Sequence, residues 1–295
     1  LEIFQPYRII PVGSHCDHQN GIVTGIIIDK GINITFNPEE QNNCNNIFTI
    51  DSDIIGKIEY NPTNQPQNLI EHACYYMHNN FNVNSFNCKI TSDYSFGGLA
   101  SSSALIIAII KTFDVIYNFS FDKQTLAMHA LSIEYANGKK YGNVDPYLLM
   151  LGTPNNLCVI DCLDMSYQNI EIPFEYSVEV VKLPEREIIY DDKAQEMFNI
   201  AKELGYKTLR EIPEEIISKN KEGVVKHFFN EQNRIQPLIN SIKTNNKNLF
   251  LELTKQSGYS SIYDYGIGNI EDYNQHLSGK FGRHCCTKNN IFIIN

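Results

Sequence analysis

Seven consecutive apolar residues, Ala104 to Ile110, follow directly on Phe96-Gly-Gly-Leu-Ala-Ser-Ser-Ser103 and stop at Lys111. An apolar run with no polar periodicity suits a helix enclosed on every side, so Ser101 to Tyr117 is expected as a buried central helix. It falls well short of the roughly 18 apolar residues of a membrane span, and no membrane partner is expected. Only a chain with a sizeable core can enclose such a helix. At 295 residues, with 42% hydrophobic and 11% aromatic content, this one can, and wholesale disorder is excluded.

The charge balance narrows the partners. With 24 basic and 34 acidic side chains the formal net charge is −10, which argues against nucleic acid or an anionic membrane surface. The eight cysteines form no CxxC pair. Reduced thiols in a cytoplasmic protein are the reading that follows. No charged segment followed by an apolar one stands at the N-terminus, so no secretory signal is expected, and a start at Leu1 reads as a trimmed chain.

The first half alternates strand and helix signals. Gly21–Phe36 reads as strands joined by a turn, 42–46 as an Asn-rich loop, Ile47–Tyr60 as strand, Leu69–His78 as helix and Val83–Ser92 as strand. After the central helix, Ser120 or Asp122 can cap a further helix that ends at Gly138 and Gly142. Leu157–Cys162 and Val178–Leu183 follow as strands. Later residues are helix-rich, at Asp191–Leu204, Lys221–Ile239 and Asn248–Gln256, before a short strand at Ile291–Ile294. An α+β fold of two lobes is expected, residues 1–175 and 176–295.

Three segments carry chemistry. In the first, Gly97 and Gly98 allow close backbone approach and three serines open a helix, so amide donors and the helix dipole face the loop. That suits a polyphosphate, with a hydroxyl for Mg²⁺, or else is a plain serine-capped helix; no Walker lysine is present. The second, Tyr7 to Gly21, gathers Arg8, His15, Asp17 and His18 around a Gly/Pro turn. It reads as a polar turn for a hydroxylated ligand, a metal cluster or a solvated loop. The third holds Glu134 and then Gly142-Asn-Val-Asp145. Taken alone, those two carboxylates read as surface charges.

Together, Arg-x-x-Pro-x-Gly-x-His-x-Asp-His, then Gly-Leu-x-Ser-Ser, then Glu followed by Gly-x-x-Asp resemble the GHMP small-molecule kinases. Within them the chain is similar to the galactokinase branch, most of all its galacturonokinase side. Glu231 to Arg234 and Ser257-Gly-Tyr-Ser-Ser-Ile-Tyr-Asp-Tyr-Gly266 extend the match, which runs from about residue 5 to 281. The resemblance implies a ribosomal-S5-like mixed N-terminal lobe, a helix-rich C-terminal lobe, and ATP and Mg²⁺ as cofactors. It places ATP phosphates at Gly97, Gly98, Leu99, Ala100, Ser101 and Ser102, and the metal at Ser102 and Glu134. It makes Asp145 the catalytic base toward an anomeric hydroxyl, Arg8 its electrostatic partner, and Ser14, His15 and Asp17 the sugar-binding residues. Galactokinases usually carry glutamate where Ser14 stands, and a neutral residue there removes a repulsion toward a C6 carboxylate.

The resemblance implies a monomeric sugar 1-kinase for galacturonate or galactose. The pattern departs from the family near the end. A third loop, typically Ser-Gly-Ala-Gly-Phe, is replaced by Ser278-Gly-Lys-Phe-Gly-Arg-His-Cys-Cys286, and the chain stops at Asn295, short of the expected closing strand and helix. Three alternatives follow: a catalytically impaired sugar-binding or regulatory protein, a poorly folding incomplete chain, and another GHMP small-molecule kinase. His15 and Asp17 argue against substrates without a ring of hydroxyls.

Overall fold

The computed structural model describes residues 1–38, 47–53, 55–84, 86–94, 98–182, 190–217, 222–268, 270–277, 279–285 and 290–295. The expected loop at 42–46 lies outside them, as do Gly97, Ser278 and Cys286.

The first part runs β1 (Glu2–Ile9), β2 (Ile22–Phe36), β3 (Phe48–Ser52), β4 (Gly56–Tyr60), α1 (Leu69–Phe81), β5 (Phe86–Ser92), α2 (Ser101–Tyr117), α3 (Lys123–Ala136), α4 (Val144–Leu151), β6 (Asn156–Asp161) and β7 (Ser166–Glu171). These strands make one sheet in the order β4-β3-β5-β2-β6-β7, with β1 also paired to β2. β3 and β5 pair in parallel and the other described ladders of this sheet are antiparallel.

Gly21–Phe36 is a single strand from Ile22, not two strands and a turn. It holds together because three partners between them pair along its length: Thr35 to Ile26 pair with β1, Ile32 to Phe36 with β5, and Ile22 to Gly25 with β6. Gly31 serves close approach within the strand; a Cβ there would stand 2.2 Å from the Gln5 carbonyl oxygen.

α2 is the enclosed helix that its composition demands. Every residue from Ser103 to Ile110 is buried. The helix packs on β1 and β2 on one side and on α1 and α3 on the other. Full burial of each large apolar side chain contributes roughly 1.5–3 kcal/mol, so this helix anchors the glycine loop before it.

The later part runs β8 (Val178–Lys182), α5 (Tyr190–Glu203), α6 (Glu214–Ile217), α7 (Gly223–Lys243), α8 (Lys247–Tyr263), α9 (Ile270–Leu277), β9 (Phe281–His284) and β10 (Asn290–Ile294). β10 is the centre of an antiparallel sheet ordered β8-β10-β9, and its five residues are buried. α8 continues past Gln256 through Gly258, where a Cβ would stand 2.8 Å from the Arg283 Cβ. That glycine lets the helix lie against β9. Apolar packing is continuous across the 175–176 line: Ile235, Leu238, Phe250 and Phe292 share a core with α2 and the large sheet. Among the described residues no helix is long and apolar enough to cross a membrane.

Candidate active site

Arg8 ties together segments distant in sequence. Its backbone N–H donates to the Leu99 carbonyl (3.2 Å) and its Nη1 to the Gly98 carbonyl (2.9 Å). Its Nε and Nη2 both donate to Asp145 Oδ1, at 3.0 and 2.5 Å. Arg8 is 2% exposed and the Asp145 side chain 24%. Burial pushes the Asp145 carboxyl up, but Arg8 and Lys139 outweigh it and hold it below the ordinary carboxylate range. Asp145 is therefore ionised at neutral pH.

Ahead of α2, Gly98 has φ +100° and Ala100 φ +59°, both left-handed. A Cβ at Gly98 would stand 2.4 Å from the Cys285 carbonyl oxygen, so the chain end that replaces the expected third loop lies against the glycine loop. Ala100 is the N-cap and offers no side-chain acceptor, which leaves the first amides of α2 facing outward. A cavity of about 480 Å³ opens there, lined among others by Gly98, Ala100, Ser101, Ser102, Glu134, Lys139 and Asp145. Leu99 does not line it. Its side chain is fully buried in the core and its carbonyl is taken by Arg8.

Glu134, on α3, is 5% exposed. Its Oε1 accepts from Ser103 Oγ at 2.6 Å and from Ser102 Oγ at 3.4 Å; its Oε2 accepts from Lys139 Nζ at 2.7 Å. The expected pair is thus brought together, with Ser103 the nearer serine and Lys139 an additional member. A carboxylate beside a hydroxyl, next to a cavity suited to phosphate, is the oxygen set that Mg²⁺ takes. Among the described residues no group of three His, Cys, Asp or Glu is placed to hold a metal, so the His-x-Asp-His turn gains no support as a metal cluster. Burial pulls the Lys139 ammonium down, but Glu134 and Asp145 outweigh it and raise its pKa.

A second cavity, of about 330 Å³, is lined by Arg8, His15, Asp17, His18, Tyr141 and Tyr265 together with Lys139 and Asp145. Lys139 and Asp145 thus border both spaces. Asp17 Oδ2 accepts from the Asn143 and Val144 amides, at 2.9 and 3.4 Å, and so caps α4. Gly142 leaves room for it; a Cβ there would stand 2.8 Å from Oδ2. His15 has φ +59° and stacks on Tyr265 at 4.4 Å. Burial, His227 and Arg283 depress its pKa, and its Nε2 is buried without a partner among the described residues.

Ser14 departs from the expectation of a sugar contact. It is fully buried and does not line the cavity. Its hydroxyl accepts from Arg283 Nη2, and its carbonyl lies 3.0 Å from His227 Nε2. The reason is a buried polar scaffold behind this turn. Arg283 also donates to Ser257 and Ser261, while Glu231 Oε2 accepts from Ser257 (2.7 Å) and from the Gly13 amide (2.6 Å). The stretches Glu231–Arg234 and Ser257–Gly266 act through this scaffold, and only Tyr265 of them lines the cavity. Sequence reasoning missed Lys139, Tyr141 and Tyr265. Tyr265 lay inside a motif already singled out, and Lys139 had only its place after Gly138 to mark it.

The chain is similar to several known proteins. Residues 68–153 match the family model described as the GHMP kinases N terminal domain. The chain is 24% identical over 288 residues to the galactokinase of Glaesserella parasuis serovar 5 (strain SH0165), a match covering 90% of this chain and 75% of that one. It is similar in structure to Lactococcus lactis galactokinase complexed with galactose, at a TM-score of 0.84 and 17% identity over 99% of this chain and 84% of that chain. Methanococcus jannaschii mevalonate kinase is similar at a TM-score of 0.68 and 13% identity, covering 100% of this chain and 90% of that chain. The chain has the GHMP kinase fold.

Proposed function

We propose that this chain is an ATP-dependent sugar 1-kinase that phosphorylates the anomeric hydroxyl of a galactose-type sugar, galacturonate or galactose. One observation carries the reading: the phosphate-type cavity and the polar cavity meet at Asp145 and Lys139. In this reading residues 1–175 and 176–295 are the two lobes, and the enzyme acts as a cytoplasmic monomer. The similarity to galactokinases in both sequence and structure supports a sugar over a mevalonate-type alcohol.

Phosphoryl transfer asks for positioning, charge neutralisation and a group to take the nucleophile's proton. The amides at the start of α2, with Gly98 and Ala100 shaping the turn, hold the phosphate oxygens. Ser102 and Glu134 would hold Mg²⁺, which supplies positive charge to those oxygens when bound. Arg8 and Lys139 offset the negative charge that gathers between the cavities. Asp145 accepts the proton of the anomeric hydroxyl, which is unusually acidic for a sugar alcohol. His15 and Asp17 orient the ring. Ser14 adds no charge to the cavity wall, and its bond to Arg283 makes its influence on a C6 carboxylate indirect.

The test is incubation with γ-labelled ATP and a panel of free sugars including galactose and galacturonate. The expected product is a sugar 1-phosphate, reduced by a factor of roughly 10²–10⁴ in Asp145→Ala. No such product above the level of that variant would overturn the proposal.

A further inference from the structure

His18 stands in the same cavity wall as Arg8 and Asp145, on the single turn Asp17–Gln19. Its ring packs beside Tyr141 (6.4 Å) and Phe198 of α5 (5.9 Å). Its Nδ1 lies 3.2 Å from Gln19 Nε2, while its Nε2 is buried with no partner among the described residues. Gln19 is itself fully buried, and its Oε1 accepts from the Leu209 amide at 2.9 Å.

These contacts fix the direction of every proton in the chain. The Leu209 N–H can only donate, so the oxygen of the Gln19 amide must face it and the NH₂ must face His18. That NH₂ donates to His18 Nδ1, which therefore carries no proton. Burial keeps the imidazole neutral, with Asp17 opposing and His227 reinforcing the effect. A neutral ring without a proton on Nδ1 carries it on Nε2. The outcome is a buried N–H with no acceptor among the described residues, on a side chain that lines a ligand-sized cavity.

We infer that His18 presents a tautomer-locked Nε2–H to an acceptor oxygen of the sugar, and that Gln19 is the positioning residue that locks it. The inference deepens the proposed function and rests on reading this cavity as the sugar site. The chemistry required of the ligand is an oxygen acceptor, either a ring hydroxyl or a carboxylate. The two differ in strength, because a hydrogen bond to a charged acceptor is worth more than one to a neutral acceptor.

The experiment is ¹⁵N NMR of the histidine rings in the full chain, titrated separately with D-galactose and D-galacturonate, alongside steady-state kinetics. Free wild-type protein is expected to show His18 as the Nε2–H tautomer, and either sugar should shift that Nε2. His18→Leu should raise the KM for galactose about tenfold, or that for galacturonate about a hundredfold if a carboxylate is the acceptor, with KM for ATP unchanged. His18→Gln, which keeps an N–H, should stay within about threefold of wild type. Gln19→Met should leave His18 in mixed tautomers and raise the sugar KM with His18 still present. An Nδ1–H tautomer in wild type, or a His18 Nε2 unmoved by a saturating sugar that is being turned over, overturns the inference. A sugar that binds and shifts His18 but is never phosphorylated overturns the kinase reading and supports this one.

Discussion

Asp17 Oδ2 lies 2.9 Å from the backbone amide of Asn143 and so caps the helix that carries Asp145, although the two segments are 126 residues apart. A residue of the Asp17–Gln19 turn therefore also holds Asp145 in place. Asp17→Ala should cost about 1 kcal/mol through the lost cap and should lower kcat as well as sugar affinity. Asp17→Asn keeps an acceptor and should recover most of the stability. Chemical denaturation paired with steady-state kinetics separates the two effects.

Arg8→Met removes the largest cation acting on Asp145. The folded pKa of Asp145 is depressed, so its contribution to stability is present above its unfolded value, near about 3.9, and is lost as pH falls through the folded value. Without Arg8 burial dominates, and the acid limb of kcat/KM should move to higher pH. The variant should also lose on the order of 3 kcal/mol, because a largely buried carboxylate loses its partner. A pH profile with an unmoved acid limb would show that Arg8 does not control this group.

Lys139→Met should act in two opposite ways. Loss of its charge between the cavities should lower kcat by about 10²-fold. Its departure from Glu134 Oε2, where it now sits at 2.7 Å, should free that oxygen and lower the Mg²⁺ concentration needed for half-maximal rate. Titration of Mg²⁺ at saturating ATP and sugar reads both changes together.

Gly98→Ala places a methyl group 2.4 Å from a backbone carbonyl, that of Cys285, at φ +100°. Neither backbone can yield cheaply, and the strain should cost at least about 1–3 kcal/mol. The KM for ATP should rise more than that for sugar, since the loop faces the phosphate-type cavity. Thermal denaturation and two-substrate kinetics give the comparison.

The parts of this molecule that were legible in sequence are those written locally. The run Ala104–Ile110 announces its own burial, and the Asp122 carboxylate caps α3 by accepting from the Thr125 amide three positions on. α4 was invisible because its cap arrives from Asp17, not from a neighbour, and Pro146 sits in its first turn where proline is tolerated. The end of α8 was misplaced because Gly258 looks like a stop signal and is a packing contact with β9. Among the site residues, Arg8 and Asp145 were paired only through the family resemblance, since each taken alone reads as an ordinary charge. The inward turn of Ser14 could not be read, because it depends on Arg283 arriving from the far end of the chain.

Arg283 joins the two extremes of the sequence: its side chain reaches Pro11 and Ser14, and two positions further on Cys285 backs Gly98. Closing so long a loop is entropically expensive and late in folding, so neither pocket can be finished before β9 docks. The reverse coupling follows by mass action, since whatever occupies the front of the turn selects molecules in which that strand is seated. Amide hydrogen exchange in Phe281–His284 should therefore slow when sugar is bound, even though none of these residues lines the polar cavity.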